Sequence, residues 1–474
     1  MASESKPTLR LRPGEQRALL LFGDLLMGIL SVIGGVFIYA SGINTKGVYF
    51  SVGFFQSNVP LWFYLLPLAW MLLLAELYDL HRAASWESTT RGVTVAALAG
   101  AAVYLLIYFV SPDPEIINRR GVAGFLILII LLTLAWRRLY IRLYQSQGFL
   151  RRVLVIGAGV NGHTLAKIYK PINPPPFTIV GFIDDDAKKL GQHCEGYHVL
   201  GDSSHLLDIV EKFNVSDLIV AITGEMLGST FQILLDAQER GLEITRMQTV
   251  YEELLGRVPI HHLESDWVLR AFLDEARSGG FFELGKRLLD IIGAIVGIGI
   301  FLVLFPFIGL VIAIESGLPI LYWQERLGRG GREFKIVKFR TMVRDAEKDG
   351  KAQMAGEKDP RVTRVGNFLR ITRLDEWPQF LNVLHGEMSL VGPRAERAEW
   401  VATFQEEIPF YRARLLVKPG ITGWAQINYG YAANVEDTSV KLEYDLYYLK
   451  HRSVWTDMGI IVRTFSTMLE RKGR

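Results

Sequence analysis

Residues 286–316, KRLLDIIGAIVGIGIFLVLFPFIGLVIAIES, contain an apolar run from Leu288 to Ile314, interrupted by Asp290 and Pro306. How this run meets a membrane decides the fold. As one straight helix it would reach ~40 Å, more than the ~30 Å of a hydrocarbon core. Charge argues against crossing. Lys286 and Arg287 precede the run, and Arg326, Arg329, Arg332 and Lys335 follow it, so crossing would strand one basic cluster on the wrong face. Pro306 removes a backbone donor and bends a helix. The expected form is a re-entrant helix, about residues 284–316, that enters the bilayer, breaks at Pro306 and leaves on the cytoplasmic side.

Four more apolar segments lie upstream: Leu19 to Ala40, Leu61 to Leu77, Gly92 to Val110, and Gly121 to Trp136. Each approaches the ~20 residues a spanning helix needs, which predicts a four-helix transmembrane bundle over residues 1–148. Arg10, Arg12 and Arg17 precede the first; Arg82 and Arg91 stand between the second and third. Arg137, Arg138, Arg142, Arg151 and Arg152 follow the fourth, which places both ends in the cytoplasm, although Arg119 and Arg120 point the other way. Asp24, inside the first segment, reads as a carboxyl that snorkels to the interface. Half of the 474 residues are hydrophobic and the net charge is only +3, so nothing overall favours nucleic acid. No cleavable signal peptide is evident. The one cysteine, Cys194, excludes an intrachain disulfide and a cysteine-based zinc site.

The next unit, 149–270, alternates apolar strands with helical runs, the pattern of a parallel sheet covered by helices, and predicts a Rossmann-like α/β domain. Its first strand leads into Gly157-Ala158-Gly159-Val160-Asn161-Gly162, and Asp184 follows Gly162 by 22 residues at the end of the second strand. A nucleotide held by Gly157, Gly159, Gly162 and Asp184 is one reading. The other is that the glycines only allow a tight turn and close helix packing. The charged run Arg344 to Lys358 reads as a mobile loop. His261-His262 reads as polar linker, since adjacent histidines point apart.

The C-terminal third, 271–474, carries Thr372-Arg373-Leu374-Asp375-Glu376-Trp377-Pro378-Gln379, leading to Gly392-Pro393-Arg394. Adjacent acids in the first turn of a helix can be there for the dipole alone, at about 0.3–1 kcal/mol each. They also suit phosphoryl chemistry. Their side chains diverge by ~100°, so one can attack phosphorus while the other holds Mg²⁺. Arg370 and Arg394 can neutralise the transferring oxygens. Lys338 and Arg340 are further phosphate-binding candidates, or simply contacts for anionic headgroups.

This third of the chain resembles the bacterial sugar transferase family, the monotopic phosphoglycosyl transferases. Matching segments appear in family order: Lys286-Arg287 with Asp290; Tyr322, Gln324, Arg326 and Gly328; and FKIVKFRTM from Phe334 to Met342. Asp359-Pro360-Arg361, Leu374-Asp375-Glu376 with Pro378-Gln379, NVLHGEMSLVGPR from Asn382 to Arg394, and KPGITGWAQ from Lys418 to Gln426 complete the series. The four spans and the α/β unit match the large, multidomain members. In one departure the break carries a single proline, between Phe305 and Phe307, where the family often has two adjacent small or proline residues.

The resemblance implies a mainly helical catalytic domain. It also implies a UDP-sugar donor, an undecaprenyl phosphate acceptor, UMP release and a covalent phosphosugar on Asp375. Glu376 would assist Mg²⁺ and orient Asp375; Arg394 and Arg370 would hold phosphate. It implies a multi-pass protein of the bacterial inner membrane, with the catalytic domain facing the cytoplasm, that starts exopolysaccharide, capsule or O-antigen synthesis. A homodimer is expected. The alternatives are a membrane-anchored nucleotide-sugar dehydratase or epimerase, and a non-catalytic scaffold. Dehydratase chemistry normally uses Tyr-x-x-x-Lys, and none of the 18 tyrosines has a lysine four positions on. Trp424 is read either as a uracil stack or as packing. Tyr444, Tyr447 and Tyr448 with Trp455 suggest an amphipathic helix at headgroup depth.

Overall fold

The structure, a computed structural model, describes residues 13–43, 53, 59–110, 119–144, 150–222, 224, 226, 228–263, 280–344, 346, 359–430 and 434–469. Arg10, Arg12, most of the 344–358 loop and the expected boundaries at 148/149 and 270/271 lie outside the described residues. The chain divides into two compact units, Met1–Met247 and Gln248–Arg474.

Three of the four expected N-terminal spans are helices long and apolar enough to cross a membrane: α1 (Pro13–Ile43), α3 (Trp86–Val110) and α4 (Arg119–Tyr144). The second is not. Leu61 to Leu77 breaks into a 3-10 turn (Leu61–Leu65), the eight-residue helix α2 (Leu66–Leu73) and another 3-10 turn from Ala75. Its apolar stretch Leu61–Leu73 reaches only ~20 Å at ~1.5 Å per residue. Pro67 explains one end, because it lacks an N–H and sits at the start of α2, where a helix must begin afresh. At the other end the Leu77 carbonyl accepts from Arg137 at 2.7 Å instead of continuing a helix. The four-helix expectation is thus corrected to three long helices around a broken segment. Val36, Phe63, Trp70, Val93, Phe125 and Ile129 fill the space between them.

Asp24 does not snorkel. It is fully buried and pairs with Arg137 at 2.5 Å, tying α1 to α4. A lone charge at this depth is costly, and pairing inside the bundle is how the cost is met. Close helix approach supports the pair: a Cβ on Gly35 would stand 2.8 Å from the Gly121 carbonyl.

The rest of the first unit is a six-stranded sheet in the order β3-β4-β2-β1-β5-β6. Its strands are β1 (Arg151–Ile156), β2 (Phe177–Ile183), β3 (His193–Cys194), β4 (Tyr197–Gly201), β5 (Asp217–Val220) and β6 (Glu243–Arg246). All pairs are parallel except β3 with β4. β1 is buried from Val153 to Ile156, the unbroken apolar run of a strand covered on both faces. Helices α5 (Val160–Tyr169), α6 (Leu206–Phe213) and α7 (Gly228–Glu239) alternate with the strands.

The second unit begins inside α8 (Met247–Leu255). Residues 248–262, which pattern reading assigns to the α/β domain, belong to it instead. Val258 and Ile260 join its core, Tyr251 donates to Glu443 at 3.2 Å, and Lys450 pairs with Glu252 at 2.8 Å.

Next comes α9 (Gly280–Ser316), a 37-residue helix with Pro306 inside it. Its outward residues Leu288, Ile295, Leu302, Val303, Phe307 and Leu310 are exposed apolar side chains. Both ends are bonded to the same unit. Lys286 pairs with Asp457 at 2.5 Å, Arg287 donates to the Val383 and Leu384 carbonyls, and Asp290 accepts from Ser389 and the Leu390 amide. At the far end Glu315 accepts from the Arg364 and Val365 amides, the start of α10 (Arg364–Ile371). The hairpin of β7 (Leu321–Leu327) and β8 (Glu333–Phe339) follows α9. Beyond α10, α11 (Phe380–His385), the parallel pair β9 (Ser389–Val391) and β10 (Gly420–Thr422), α12 (Ala398–Glu407), α13 (Val435–Lys450) and α14 (Val454–Leu469) complete a mainly helical unit.

Candidate active site

Asp375 and Glu376 sit in a 3-10 turn, Leu374–Gln379, just ahead of α11. They are not first-turn acids of an α-helix as expected. Pro378 interrupts the α-helical ladder, and Arg373 enters the turn in the left-handed region at φ 54°, a strained conformation for a residue with a side chain. Three residues per turn swing adjacent side chains ~120° apart, and the helix that follows has only six residues, which weakens the dipole explanation.

The two carboxylates have different surroundings. Glu376 accepts from Arg394 at 2.6 Å and from Lys338 at 3.0 Å through the same oxygen, Oε1, while its Oε2 has a longer contact with Arg394 at 3.4 Å. Burial pushes its pKa up, but Arg394 and Lys338 outweigh that and hold it well below the usual carboxylate range. Asp375 makes no side-chain hydrogen bond to a described residue. Burial, then the neighbouring Glu376 charge, push its pKa up to about 6 against the pull of Lys338, Arg394 and Arg370. One acid is locked as an anion; the other is left open for chemistry.

The structure gathers Asp375, Glu376, Lys338 and Arg394, with Arg370 within electrostatic reach. Arg370, on α10, is oriented by its Nε bond to Thr341 at 2.9 Å. Arg394 keeps nearly half of its side chain exposed, so N–H donors remain for a ligand. Arg340 is placed elsewhere: its Nη2 donates to Ser316 and Gly317, capping the end of α9. Sequence reading misses the support beneath Arg394. Arg414 donates to the Arg394 carbonyl at 3.0 Å and pairs with Asp445, and Arg326 donates to the Ala395 carbonyl at 3.3 Å. A small cleft beside them is lined by Pro393, Arg394, Glu396 and Arg414 among others.

Mg²⁺ can be tested against these donors. Among the described residues no group of three or more His, Cys, Asp or Glu could hold a metal. Mg²⁺ rarely needs one, being held by one or two carboxylates with phosphates and waters. Asp375 and the Oε2 of Glu376, which Arg394 meets only at 3.4 Å, are the oxygens that could share such an ion; Oε1 is taken more closely by Lys338 and Arg394.

One aromatic alternative is decided and one aromatic expectation changes. Trp424 stacks on Tyr447, carries Arg463 over its ring and donates from Nε1 to the Gly256 carbonyl, so it is packing and not a free base-stacking face. Tyr448 is buried and donates to Asp457 at 2.8 Å, which makes this part of α13 core, while Trp455 alone of that group is strongly exposed. His261 contacts Ser439 and joins no metal cluster among the described residues.

In the α/β domain Gly157 has φ 106°, and a Cβ on Gly162 would stand 2.2 Å from the Gly157 carbonyl, so turn and packing both require glycine. Gly159 precedes α5 in extended conformation. The Asp184 carboxylate accepts from the loop amide of Ala158 at 2.8 Å and from Lys189 at 2.8 Å. The loop is therefore closed by its own acid.

A family model described as bacterial sugar transferase matches residues 281–471, and one described as CoA-binding domain matches residues 74–233. A UDP-N-acetylgalactosamine-undecaprenyl-phosphate N-acetylgalactosaminephosphotransferase of Aeromonas hydrophila is 42% identical over 228 residues, 48% of this chain and 52% of that protein. A UDP-glucose:undecaprenyl-phosphate glucose-1-phosphate transferase of Xanthomonas campestris pv. campestris is 30% identical over 343 residues, 69% of each chain. One of the same description from Escherichia coli (strain K12) is 43% identical over 190 residues, 39% of this chain and 40% of its own. The match thus spans about half the length of the first of these relatives. A solved structure described as RSP in complex with beta-NADH covers 35% of the chain at 17% identity with a TM-score of 0.20, too low to carry an argument.

Proposed function

The chain belongs to the bacterial sugar transferase family, and from that premise we propose that it transfers a sugar 1-phosphate from a UDP-sugar to undecaprenyl phosphate, releasing UMP. The observation that carries the proposal is the unequal pair: Glu376 held as an anion by Lys338 and Arg394, Asp375 open beside it. A carboxylate oxygen of Asp375 attacks the sugar-linked phosphorus, the bond from that phosphorus to the bridging oxygen breaks, and UMP leaves with the bond's electron pair. An oxygen of undecaprenyl phosphate then attacks the same phosphorus, and Asp375 departs as the free carboxylate. The product is an undecaprenyl diphosphosugar. The covalent route lets a soluble donor and a lipid acceptor use one site in turn.

Arg394 has N–H donors left over from Glu376 to hold the transferring oxygens, and Arg370 supplies charge nearby. Mg²⁺, held by Asp375 and Glu376, would neutralise the diphosphate when bound. Glu376 stays anionic throughout and sets the position of Lys338 and Arg394.

The re-entrant form of α9 is part of the same proposal. Lys286 to Asp290 at one end and Glu315 with Ser316 at the other bond to one compact unit, so a crossing helix would need that unit on both sides of the bilayer. The helix is continuous from Gly280 to Ser316, and Pro306 within it is where a missing N–H would let it bend. The catalytic unit then faces the cytoplasm of the inner membrane, where UDP-sugars are made. The relatives named above differ in their sugar, so the donor is proposed only as a UDP-hexose or UDP-acetamidohexose. A homodimer and a nucleotide in the α/β domain also stand as proposals; for the second, Asp184 would have to release Ala158.

The test is UMP release by purified protein from a panel of UDP-sugars with undecaprenyl phosphate and Mg²⁺. Release that needs the lipid for turnover, and that is abolished in Asp375→Asn, supports the proposal. Equal activity in Asp375→Asn would sink it.

A further inference from the structure

Asn382 is buried on α11, six residues beyond Glu376, and its carboxamide reaches across to β8. Nδ2 donates to the Lys335 carbonyl at 2.8 Å and to Glu387 Oε2 at 2.8 Å; Oδ1 accepts from the Val337 amide at 3.3 Å. Lys335 and Val337 are two apart on one strand, so their peptide groups point to the same edge. β8 has one strand neighbour, β7. A single side chain therefore supplies the donor and the acceptor that a third strand would bring. The next residue along β8 is Lys338, whose ammonium rests on Glu376.

We infer that Asn382 is a positioning residue for the proposed transfer: it fixes β8 against the turn that carries the carboxylates, and so sets Lys338 on Glu376. The inference rests on the functional reading above. In the sequence Asn382 figures only as the first residue of the matching segment NVLHGEMSLVGPR, with no task assigned to it. The geometry gives it a task. Lys338 lies near the end of a two-stranded hairpin, and without Asn382 the edge facing α11 has unpaired peptide groups and no fixed register to the turn. The ammonium–carboxylate distance then depends on a strand free to shift.

The experiment uses the full chain in lipid nanodiscs and compares wild type, Asn382→Ser, Lys338→Met and the double variant for UMP release. Asn382→Ser is expected to lower kcat about tenfold while the donor KM changes less than about twofold, since Asn382 bonds to the protein's own strand and not to the donor. In the Lys338→Met background the same substitution is expected to change kcat by less than about twofold, because the lysine through which it acts is gone. An equal loss in both backgrounds, or a wild-type kcat in Asn382→Ser, overturns the inference. If Asn382→Ser does not fold, Asn382→Asp keeps the size and the acceptor but sets two carboxylates together. Adding Glu387→Gln should then raise kcat by about threefold or more over Asn382→Asp alone, and no recovery overturns the inference as well. A wild type that releases no UMP would sink the functional reading instead.

Discussion

Glu443 allows a prediction to be worked through from its contacts. Its side chain is buried, takes the Tyr251 hydroxyl at 3.2 Å and stands 3.3 Å from Arg257, while its carbonyl accepts from the Val258 amide at 3.0 Å. Burial is the larger influence and Arg257 the smaller, so its pKa is pushed from 4.5 up to about 7. A carboxyl with a higher pKa in the fold than in the opened chain favours the fold in its protonated form. Stability at this contact is therefore greatest below about pH 4.5 and declines as pH rises to about 7. A rise from 4.5 to about 7 corresponds to roughly 3 kcal/mol, on the order of a hundredfold in the opening equilibrium. The perturbation is Glu443→Gln, which cannot titrate. Amide hydrogen exchange of residues 248–260 would be compared between wild type and variant at each pH from 4.5 to 8, so that intrinsic exchange cancels. The wild-type to variant ratio of protection should fall as pH rises, on the order of a hundredfold, and level off above about pH 8. A ratio that is flat, or that rises with pH, refutes the reasoning and with it the assignment of this segment to the second unit.

Other outcomes are as specific. Asp375→Asn should lose at least ~10³-fold in UMP release while donor binding by calorimetry survives, since an amide fills the same space without the nucleophile. Arg394→Lys should cost ~10–100-fold in kcat/KM, because an ammonium cannot reproduce the paired 2.6 and 3.4 Å contacts with Glu376 and still reach a phosphate. Gly162→Ala should destabilise the α/β domain by ~1–3 kcal/mol, read as faster proteolysis of that domain, because its Cβ would lie 2.2 Å from the Gly157 carbonyl. Asp24→Asn should lower the thermal midpoint in nanodiscs more than Asp24→Asn with Arg137→Leu, because the single change leaves a buried charge without its partner.

Motif order places Asp375, Glu376, Lys338 and Arg394 in one chemistry, because phosphoryl transfer needs those residue types together. It does not reveal that Lys338 and Arg394 converge on one oxygen of Glu376, which depends on β8 folding against the 3-10 turn. Arg340, two positions from Lys338, carries the same charge but caps α9. Composition cannot separate those fates. The alternating pattern yields the parallel sheet, yet assigns 248–262 to the wrong neighbour, since Val258 and Ile260 look equally apolar in either core. Hydropathy likewise counts Leu61–Leu77 as a span; it does not register that Pro67 and the Leu77 carbonyl divide it. Tyr448 reads as interfacial because its partner Asp457 lies on another helix.

The Asp24–Arg137 pair also bears on how the protein is made. Its partners are 113 residues apart, so a ribosome adding ~5–20 residues per second delivers the arginine roughly 6–23 s after the aspartate. During that interval the leading segment carries an acid whose counter-ion has not been synthesised. The first helix therefore gains its buried ion pair only after a later part of the message has been translated.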